Sequence, residues 1–312
     1  FDFIQECKAY LSGRINASRW GEQPISFATP QGDISREFRD ELFNSGFTVV
    51  GDLSETDDER FTVIHRNGGS VESGLSNKSL IESADEGGLI SLYWIARIED
   101  MNIRRDRDLV DWLSNQDYWF TTWGEWVTHQ ISSLSITVET NSNSTTFTNP
   151  TLDIWNTPGT VMVDNVDQYF GLEWSGVQYD PLEKEDRILR AGHREESSGL
   201  LYLTIPPGES VTIYNAKPLT ISHEPSIFNG LKNGVTIAGH HTTNMREWSQ
   251  DFRDSPLRFT WLIERSQVPS PTLVLPLLSI SILIATPIII KKIIASDKEH
   301  QRSISGPSMT TP

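Results

Sequence analysis

The stretch PISFATPQGDISREFRDELFNSGFTVVGDL, residues 24–53, decides the fold class of this chain. After a short apolar run, apolar residues recur every four positions: Ile34, Phe38 and Leu42. That spacing predicts a helix with one apolar face, for which Ser35 or Asp33 can cap the start and Gly46 can mark the end. The letters FTVV then indicate a second strand. The stretch therefore predicts a β-α-β unit.

A second strand-to-helix pattern follows in residues 89–116. The run LISLYWIARI is almost continuously apolar, as expected for a strand that is covered on both faces. After a short acidic loop, the next segment carries an apolar helical face: Leu109, Val110, Trp112 and Leu113. Two such units predict an α/β protein with a Rossmann-like sheet. Ligands are expected at the strand ends and the loops that follow them.

From about residue 132 onward, the apolar period changes to two. The alternating residues are Leu134, Ile136 and Val138, then Val211 and Ile213, Leu219 and Ile221, and Leu257, Phe259, Trp261 and Ile263. Turn signals such as TNSNSTTFTNP and IPPGES separate them. The second half is therefore predicted to be β-rich, and it either completes the same sheet or forms a separate β sandwich. The expected divisions are a helical segment at 1–20, an α/β unit at 21–130 and a β-rich unit at 131–266.

The C-terminal stretch TLVLPLLSISILIATPIIIKK, residues 272–292, has the properties of a membrane span. The 24 residues from 267 to 290 are uncharged, and a helix needs about 20 to cross the hydrocarbon core. A transmembrane helix is predicted at 271–290, followed by a polar tail at 291–312. Lys291 and Lys292 flank the apolar run directly and favour a cytoplasmic tail with the bulk of the chain extracytoplasmic. The alternative orientation is that of a tail-anchored cytoplasmic protein.

The first residue bears on the processing of the chain, and the net charge limits the partners that it can bind. The chain opens with Phe1 rather than Met, as expected where a leader has been removed or a longer reading frame precedes it. The formal net charge is −16, and the first 290 residues hold 22 basic and 40 acidic residues. An acidic surface repels phosphate backbones. The expected partners are the lipid bilayer and a protein or membrane complex, and no nucleic acid.

Four residues late in the chain are candidate metal ligands: His223, Glu224, His240 and His241. Imidazoles and a carboxylate suit zinc, but no HExxH spacing is present, so the set depends on the fold bringing distant residues together. The alternative is that they are ordinary strand-end and loop residues. The sequence contains no G-x-S-x-G elbow, no GxGxxG and no GxxxxGK[ST], so no catalytic residue and no cofactor is predicted.

The stretch DYWFTTWGEW, residues 117–126, concentrates aromatic side chains: Tyr118, Trp119, Trp123 and Trp126. Rings of this kind supply large contact area, so one interpretation is a sugar- or protein-binding surface. The other is a core cluster beneath a helix end.

The order of these elements, together with EPSIFN at residues 224–229, resembles the membrane-anchored ectodomains of the gliding-motility and intraflagellar-transport type. They are related to the class I glutamine amidotransferase-like fold and include a domain of unknown function in prokaryotic membrane proteins. The late motif of that family has Asp where this chain has Glu224, and Asn115 and Gln116 stand where it has glycines. The resemblance covers residues 20–265 and implies a non-catalytic domain. In agreement, Cys7 precedes every predicted strand, whereas an amidotransferase needs a cysteine at a strand-to-helix elbow.

These observations predict a single-pass membrane protein with an acidic, non-catalytic extracytoplasmic domain. Its expected role is to bind a protein or glycan partner, as a subunit of a membrane complex. Two alternatives stay open from the sequence. One is a membrane-anchored metal-dependent hydrolase that uses the histidine set. The other is a structural β-sandwich protein of the envelope or an adhesin.

Overall fold

A computed structural model describes most of the first 240 residues and a short helical stretch near the C-terminus. The described residues are 2–28, 34–51, 58–70, 78–84, 88–95, 107–164, 169–215, 218–240, 283 and 285–295. They belong to two compact units, Phe1–Ser255 and Pro256–Pro312. The first unit has the mixed α/β architecture that the sequence predicts.

Helices and parallel strands alternate along most of the first unit. Its described helices are α1 (Asp2–Ser12), α2 (Arg36–Asn44), α3 (Lys78–Ala84), α4 (Arg107–Ser114) and α5 (Trp123–Ser135). Its parallel strands are β1 (Ser26–Ala28), β2 (Val49–Gly51), β3 (Thr62–Ile64), β4 (Gly69–Ser70), β5 (Leu89–Ile95), β6 (Tyr118–Phe120) and β15 (Asn233–His240). Helices connect β1 to β2, β4 to β5 and β5 to β6, as crossovers between parallel strands require.

The predicted β-α-β unit is confirmed. Strands β1 and β2 pair in parallel, and α2 connects them. Ser35 caps α2, because its Oγ accepts a hydrogen bond from the backbone N–H of Phe38 at 3.2 Å. Gly46 follows the end of the helix with a φ of 79°, a left-handed conformation that glycine adopts without a Cβ clash. The N-cap, the four-residue spacing of apolar residues and the glycine at the helix end thus all lie where the sequence predicts them.

The parallel strands form two ladders, ordered β1-β2-β3 and β4-β5-β15-β6. Strands β3 and β4 lie on one stretch of chain, residues 62–70, which pairs first with β2 and then with β5. Between them, Asn67 Nδ2 donates to the carbonyl of Leu89 at 2.9 Å, and Asn67 Oδ1 accepts from the N–H of Ser91 at 2.8 Å. The Asn67 side chain therefore replaces the backbone pairing at the junction of the two ladders.

Helices cover both faces of β5, as its apolar run predicts. On one face, α3, α4 and β5 share an apolar cluster that includes Ile81, Ile90, Leu92, Leu109 and Leu113. On the other face, Leu89 packs in a cluster with Trp123 and Trp126 of α5. Neighbouring residues of a strand point to opposite faces, so the two clusters lie on opposite sides of the sheet. The predicted apolar face of α4 is confirmed.

A β sandwich follows α5. Its strands are β7 (Thr137–Thr140), β8 (Ser144–Thr148), β9 (Gly159–Asp164), β10 (Tyr169–Trp174), β11 (Gly192–Glu195), β12 (Leu201–Ile205), β13 (Ser210–Asn215) and β14 (Thr220–Ser222). They form two antiparallel sheets, ordered β10-β13-β8-β7 and β11-β12-β9-β14. One apolar core, with Phe147, Leu203 and Ile213 fully buried, includes residues of both sheets.

Strand β15 then returns to the parallel sheet, where it pairs with β5 on one side and β6 on the other. The sandwich is therefore an insertion within the α/β unit, and the predicted division at residue 130 does not separate two consecutive domains. Strands β7 to β14 form the sandwich and β15 completes the parallel sheet, whereas the alternating residues at 257–263 lie outside the described part of the chain. Leu134, predicted to start the alternation, lies in α5 and is 63% exposed, because that helix continues to Ser135.

In the second unit, residues 283 and 285–295 are helical. Their aliphatic side chains are exposed, with Ile288 at 62% and Ile293 at 59%. Among the described residues, no helix is both long enough and apolar enough to cross a membrane. Most of the predicted span, residues 271–282 and 284, lies outside the described part of the chain. Lys291 and Lys292, predicted to flank the span, lie within the helical stretch.

Candidate functional site

The carboxyl edge of a parallel sheet is where α/β folds of this kind place their ligands. The loops that follow β1, β2, β4, β5 and β15 at this edge lie outside the described residues. His240 is the last residue of β15 and pairs with Ile95 of β5, so its backbone lies at this edge. The described part of the edge is the junction between β6 and α5, residues 121–125.

A capping box fixes the first turn of α5. Thr122 Oγ1 accepts from the N–H of Glu125 at 3.2 Å, and Glu125 Oε2 accepts from the N–H of Thr122 at 3.2 Å. The other carboxylate oxygen, Oε1, accepts from Ser18 Oγ at 3.1 Å and lies 4.0 Å from Arg19 Nε. Both oxygens of Glu125 are therefore engaged: Oε2 completes the cap of α5, and Oε1 joins α5 to the segment that follows α1.

Trp123 seats the start of α5 on the sheet. Its Nε1 donates to Ser91 Oγ of β5 at 2.9 Å, and both groups are buried. Its ring lies against Gly51 of β2, where an added Cβ would come within 2.2 Å of the ring. Glycine at position 51 therefore permits this close approach, and α5 is held against both β2 and β5.

The predicted aromatic binding surface is core. The exposed fractions are 6% for Tyr118, 0% for Trp119, 7% for Trp123 and 8% for Trp126. Trp119 Nε1 donates to the carbonyl of Ser226 at 3.1 Å, and its ring centroid lies 5.7 Å from that of Phe228. The interpretation as an exposed sugar- or protein-binding surface is therefore wrong. Trp119, Trp123 and Trp126 pack in the cluster between α5 and the sheet, whereas Tyr118 packs in the cluster on the opposite face.

The candidate metal ligands His223 and Glu224 lie close to the end of α5. His223 Nδ1 is 3.2 Å from the carbonyl oxygen of Ser133. Glu224 is exposed, and its Oε1 accepts from Ser222 Oγ at 3.3 Å. Within the described part of the chain, no three His, Cys, Asp or Glu residues form a group that could hold a metal ion. The His240 side chain and the whole of His241 lie outside it.

The backbone of His240 lies at the other end of the sheet from His223. Trp123 contacts Ser91, and Ser91 pairs with Thr236 of β15. One helical turn later, Trp126 lies against Gly234, which comes earlier in β15. Helix α5 therefore runs antiparallel to β15. The ten residues from Trp123 to Ser133 carry the helix about 15 Å in one direction. The four residues from Thr236 to His240 extend about 13 Å in the other. His223 and the backbone of His240 therefore lie at opposite ends of the sheet, and the ligand set as a whole stays a prediction.

The segment EPSIFNG forms a two-residue hairpin turn. Asn229 and Gly230 both have positive φ, 52° and 78°, and Phe228 and Leu231 exchange backbone hydrogen bonds of 3.1 and 2.8 Å. This is the type I′ geometry that Asn-Gly favours. Asn229 is 1% exposed, and its Nδ2 donates to two carbonyl oxygens of the segment before β11, at 2.7 and 3.0 Å. The motif that carries the family resemblance is thus a buried structural turn.

Arg194 of β11 completes this junction. Its Nε donates to Asn229 Oδ1 at 2.9 Å, and its Nη2 donates to the Asn229 carbonyl and to Glu196 Oε1, both at 2.8 Å. The guanidinium lies over the ring of Tyr202, 5.0 Å from its centroid. Sequence reasoning missed Arg194 and the turn. The Asn-Gly dipeptide at 229–230, between apolar residues, is the signal that could have located the turn.

His129 connects α5 to both sides of the same junction. It is 0% exposed, with Nδ1 2.7 Å from the carbonyl oxygen of Pro158 and Nε2 3.0 Å from that of Ile227. Burial lowers its pKa, against the opposing effect of the two carbonyls, so the imidazole is neutral at pH 7. A neutral imidazole donates one hydrogen bond only. The ring faces no solvent and lies between the segment before β9 of the sandwich and the segment before β15.

No protein-family model, curated protein or solved structure matches this chain. The resemblance to the gliding-motility and intraflagellar-transport ectodomains therefore stays a prediction. Function has to be argued from the chemistry of the residues themselves, because a fold of this class hosts many unrelated activities.

Proposed function

We propose that this chain is a single-pass membrane protein whose acidic extracytoplasmic domain binds a protein or glycan partner without catalysis, as a subunit of a membrane complex. The observation that carries the proposal is the engagement of the ionisable groups on α5. Glu125 is bonded through both carboxylate oxygens, and His129 is enclosed between two carbonyls. General acid–base catalysis needs a titratable group that reaches the reactant. The fixed polar groups at the described part of the carboxyl edge support a binding role instead.

The rigid attachment of the sandwich also supports a binding role. Buried or half-buried hydrogen bonds connect the sandwich to the turn before β15, through Arg194 and Asn229. Contacts of His129 connect α5 to both. A surface that is already ordered loses less conformational entropy when a partner binds. The net charge of −16 favours neutral or basic partner surfaces and opposes nucleic acid.

Two observations support the membrane placement. The 24 uncharged residues from 267 to 290 exceed the length of about 20 that a helix needs to span the hydrocarbon core. The aliphatic side chains of the described helical stretch at 285–295 are exposed, and a lipid environment would cover them. The two lysines at 291 and 292 favour a cytoplasmic tail, which places the first unit outside the cytoplasm.

Protease protection tests this placement. In sealed right-side-out vesicles that carry the full chain, external protease is expected to degrade the first unit. An epitope tag added after Pro312 is expected to survive, as followed by immunoblotting. Inside-out vesicles serve as the control and should give the reverse pattern. An intact first unit with loss of the tag in right-side-out vesicles would establish the tail-anchored cytoplasmic orientation instead.

Site-specific crosslinking tests the binding function. A photoreactive amino acid at Thr122, exposed at the carboxyl edge, is expected to give a discrete protein or glycan adduct when intact membranes are irradiated. The matched control is Thr137, which is also exposed but lies on the edge strand β7 of the sandwich. Electrophoresis and mass spectrometry measure the adducts. Equal yields at the two positions, or none at Thr122, would contradict a binding surface at the carboxyl edge.

A further inference from the structure

One edge of the sandwich, where β10 and β11 end their sheets, carries a compact group of aromatic and polar side chains: Trp174, Tyr179, His193 and Glu209. The ring centroid of Trp174 lies 4.9 Å from that of Tyr179 and 6.5 Å from that of His193. Tyr179 Oη donates to Glu209 Oε1 at 2.9 Å. The four side chains are therefore contiguous. They are called the edge cluster below.

Three polar atoms of the edge cluster are buried without a hydrogen-bond partner among the described residues: Trp174 Nε1, His193 Nδ1 and Glu209 Oε2. Trp174 as a whole is only 6% exposed. Each buried donor or acceptor left unpaired costs about 1–3 kcal/mol, and native proteins contain few of them. Three in one cluster mark a polar site whose hydrogen bonds water or a ligand can complete.

The unpaired atoms define the chemistry of that molecule. Trp174 Nε1 requires an acceptor, whereas Glu209 Oε2 requires a donor, and a hydroxyl group supplies both. A cation would leave the indole N–H unpaired, and an anion would be repelled by the Glu209 carboxylate. No Lys or Arg of the described residues forms an ion pair with Glu209. An organic ligand that fits these atoms is therefore neutral and carries hydroxyl groups.

The ionisation states of the neighbouring groups agree with this chemistry. Burial, and then the Glu209 carboxylate, raise the pKa of Tyr179 to about 12, so its hydroxyl keeps the proton that it donates. Burial lowers the pKa of His193, so the imidazole is neutral at pH 7 and pairs with a hydroxyl in either role. The rings of Trp174 and Tyr179 add apolar contact area that suits the C–H faces of a sugar ring.

The loop 175–180 closes the edge cluster. At its start, Ser210 N–H donates to Ser175 Oγ at 2.8 Å, and Ser175 N–H donates to the Ser210 carbonyl at 2.9 Å. Just past its end, Leu182 N–H donates to the carbonyl of His193 at 2.7 Å. Between these anchors, Tyr179 contacts the cluster, while Val177 is 62% exposed. Gly176 lies against the Glu209 carboxyl group, so outward movement of residues 176–178 would uncover that group while both anchors and Tyr179 stay in place.

We propose that the edge cluster is a binding site for a neutral saccharide and that the loop 175–180 opens to admit it. Trp174 Nε1, His193 Nδ1 and Glu209 Oε2 hydrogen-bond the sugar hydroxyls, and the two aromatic rings contact its apolar face. This site is separate from the carboxyl edge of the parallel sheet. It does not depend on the partner proposed there, and the crosslinking result at Thr122 leaves it unaffected.

Intrinsic tryptophan fluorescence of the full chain in detergent micelles tests the proposal. Titration with neutral oligosaccharides of hexose and of N-acetylhexosamine is expected to give a saturable change for at least one of them. Glu209→Gln is expected to weaken the binding about tenfold, because it removes a charge-assisted hydrogen bond. The matched control is Glu139→Gln, at an exposed carboxylate on the opposite edge strand β7, which should bind like the wild type.

Three results would overturn the proposal. One is the lack of a saturable response to every neutral oligosaccharide. The second is equal affinity of the Glu209→Gln and Glu139→Gln variants. The third is a high-resolution crystal structure with one buried water on the three atoms and no saccharide after soaking. If Glu209→Gln does not fold, Tyr179→Phe replaces it, since this change removes the hydroxyl that holds Glu209. An affinity equal to the wild type would then overturn the proposal.

Discussion

Replacing His129 with alanine is expected to lower the free energy of unfolding by about 3–5 kcal/mol. The ring is fully buried and packs edge-on against Trp119, with centroids 5.3 Å apart. Its two nitrogens lie 2.7 and 3.0 Å from the carbonyl oxygens of Pro158 and Ile227. Alanine leaves a cavity and removes the one N–H that serves these carbonyls. The loss combines two of the mechanisms that make core substitutions costly, a cavity and a broken buried hydrogen bond.

The wild-type chain is also expected to lose stability as the pH falls below about 6.5. Burial lowers the pKa of His129 in the folded state below its ordinary value of 6.5, which the unfolded chain retains. Below this pH, the unfolded state binds a proton that the folded state does not. Stability then falls by up to about 1.4 kcal/mol per pH unit, until the pH reaches the folded-state pKa. Above pH 7 both states are neutral and this contribution is constant.

Denaturant unfolding at pH 7.5 and pH 5.0 measures both effects. His129→Gln keeps an N–H donor but does not titrate, so it should cost less than His129→Ala at pH 7.5 and show a weaker pH dependence than the wild type. His193, whose pKa burial also lowers, adds to the pH dependence in all three proteins. The control His65→Gln alters an exposed histidine and should change little. Equal pH dependence of the wild type and His129→Gln would show this assignment to be wrong.

Replacing Asn229 with alanine is expected to cost about 3–4 kcal/mol. The change removes three side-chain hydrogen bonds, from Nδ2 to the carbonyls of Glu183 and Asp186 and from Arg194 Nε to Oδ1, each worth about 1 kcal/mol. It also places alanine at a φ of 52°, which costs about 1 kcal/mol more. For a domain of this size, the melting temperature should fall by roughly 10 °C.

Asn229→Gly separates the two contributions. Glycine adopts the left-handed conformation without strain but makes no side-chain hydrogen bonds, so its loss should be about 1 kcal/mol smaller than that of alanine. Asn143→Ala is the control at an exposed asparagine of the β7–β8 turn and should stay within about 0.5 kcal/mol of the wild type. Thermal unfolding followed by circular dichroism measures all three. A loss below 1 kcal/mol for Asn229→Ala would contradict the structural role of the turn.

Both substitutions act at the place where the sandwich joins the α/β unit. Strand β15 reaches its position between β5 and β6 only after the chain has passed through all eight strands of the sandwich. The turn at 228–231 sets the start of β15, and His129 fixes α5 to this turn. The junction thus determines the position of the strand that ends, at His240, on the carboxyl edge of the sheet.

The elements that could be predicted from the sequence are those whose signals are local. In the first β-α-β unit, Ser35 caps α2, Leu42 is fully buried and Gly46 follows the helix end, all as expected. The apolar face of α4, with Leu109 and Leu113 buried, is likewise confirmed. Helix caps, helix-ending glycines and apolar spacings involve residues close together in the chain, so they can be identified before the tertiary structure is known.

The sequence left the site interpretations open because they depend on contacts between distant residues. The rings at Trp119 and Trp123 suit a binding surface as well as a core, and only the packing of α5 on the sheet buries them. His223 and His240 are seventeen positions apart in the sequence, and the intervening strand β15 carries them to opposite ends of the sheet. The edge cluster collects Trp174, His193 and Glu209 from three separate segments, so no local pattern could indicate it.

The sequence by itself determined the α/β class, the first β-α-β unit, the β-rich character of residues 137–222 and the apolar run near the C-terminus. Each of these follows from the spacing of apolar residues and from capping or turn residues close by in the chain. Only the tertiary structure decided that the sandwich is an insertion, that β15 returns to the parallel sheet and that three polar atoms at the sandwich edge are unpaired. These features depend on strand pairing and burial between residues far apart in sequence, which no local period encodes.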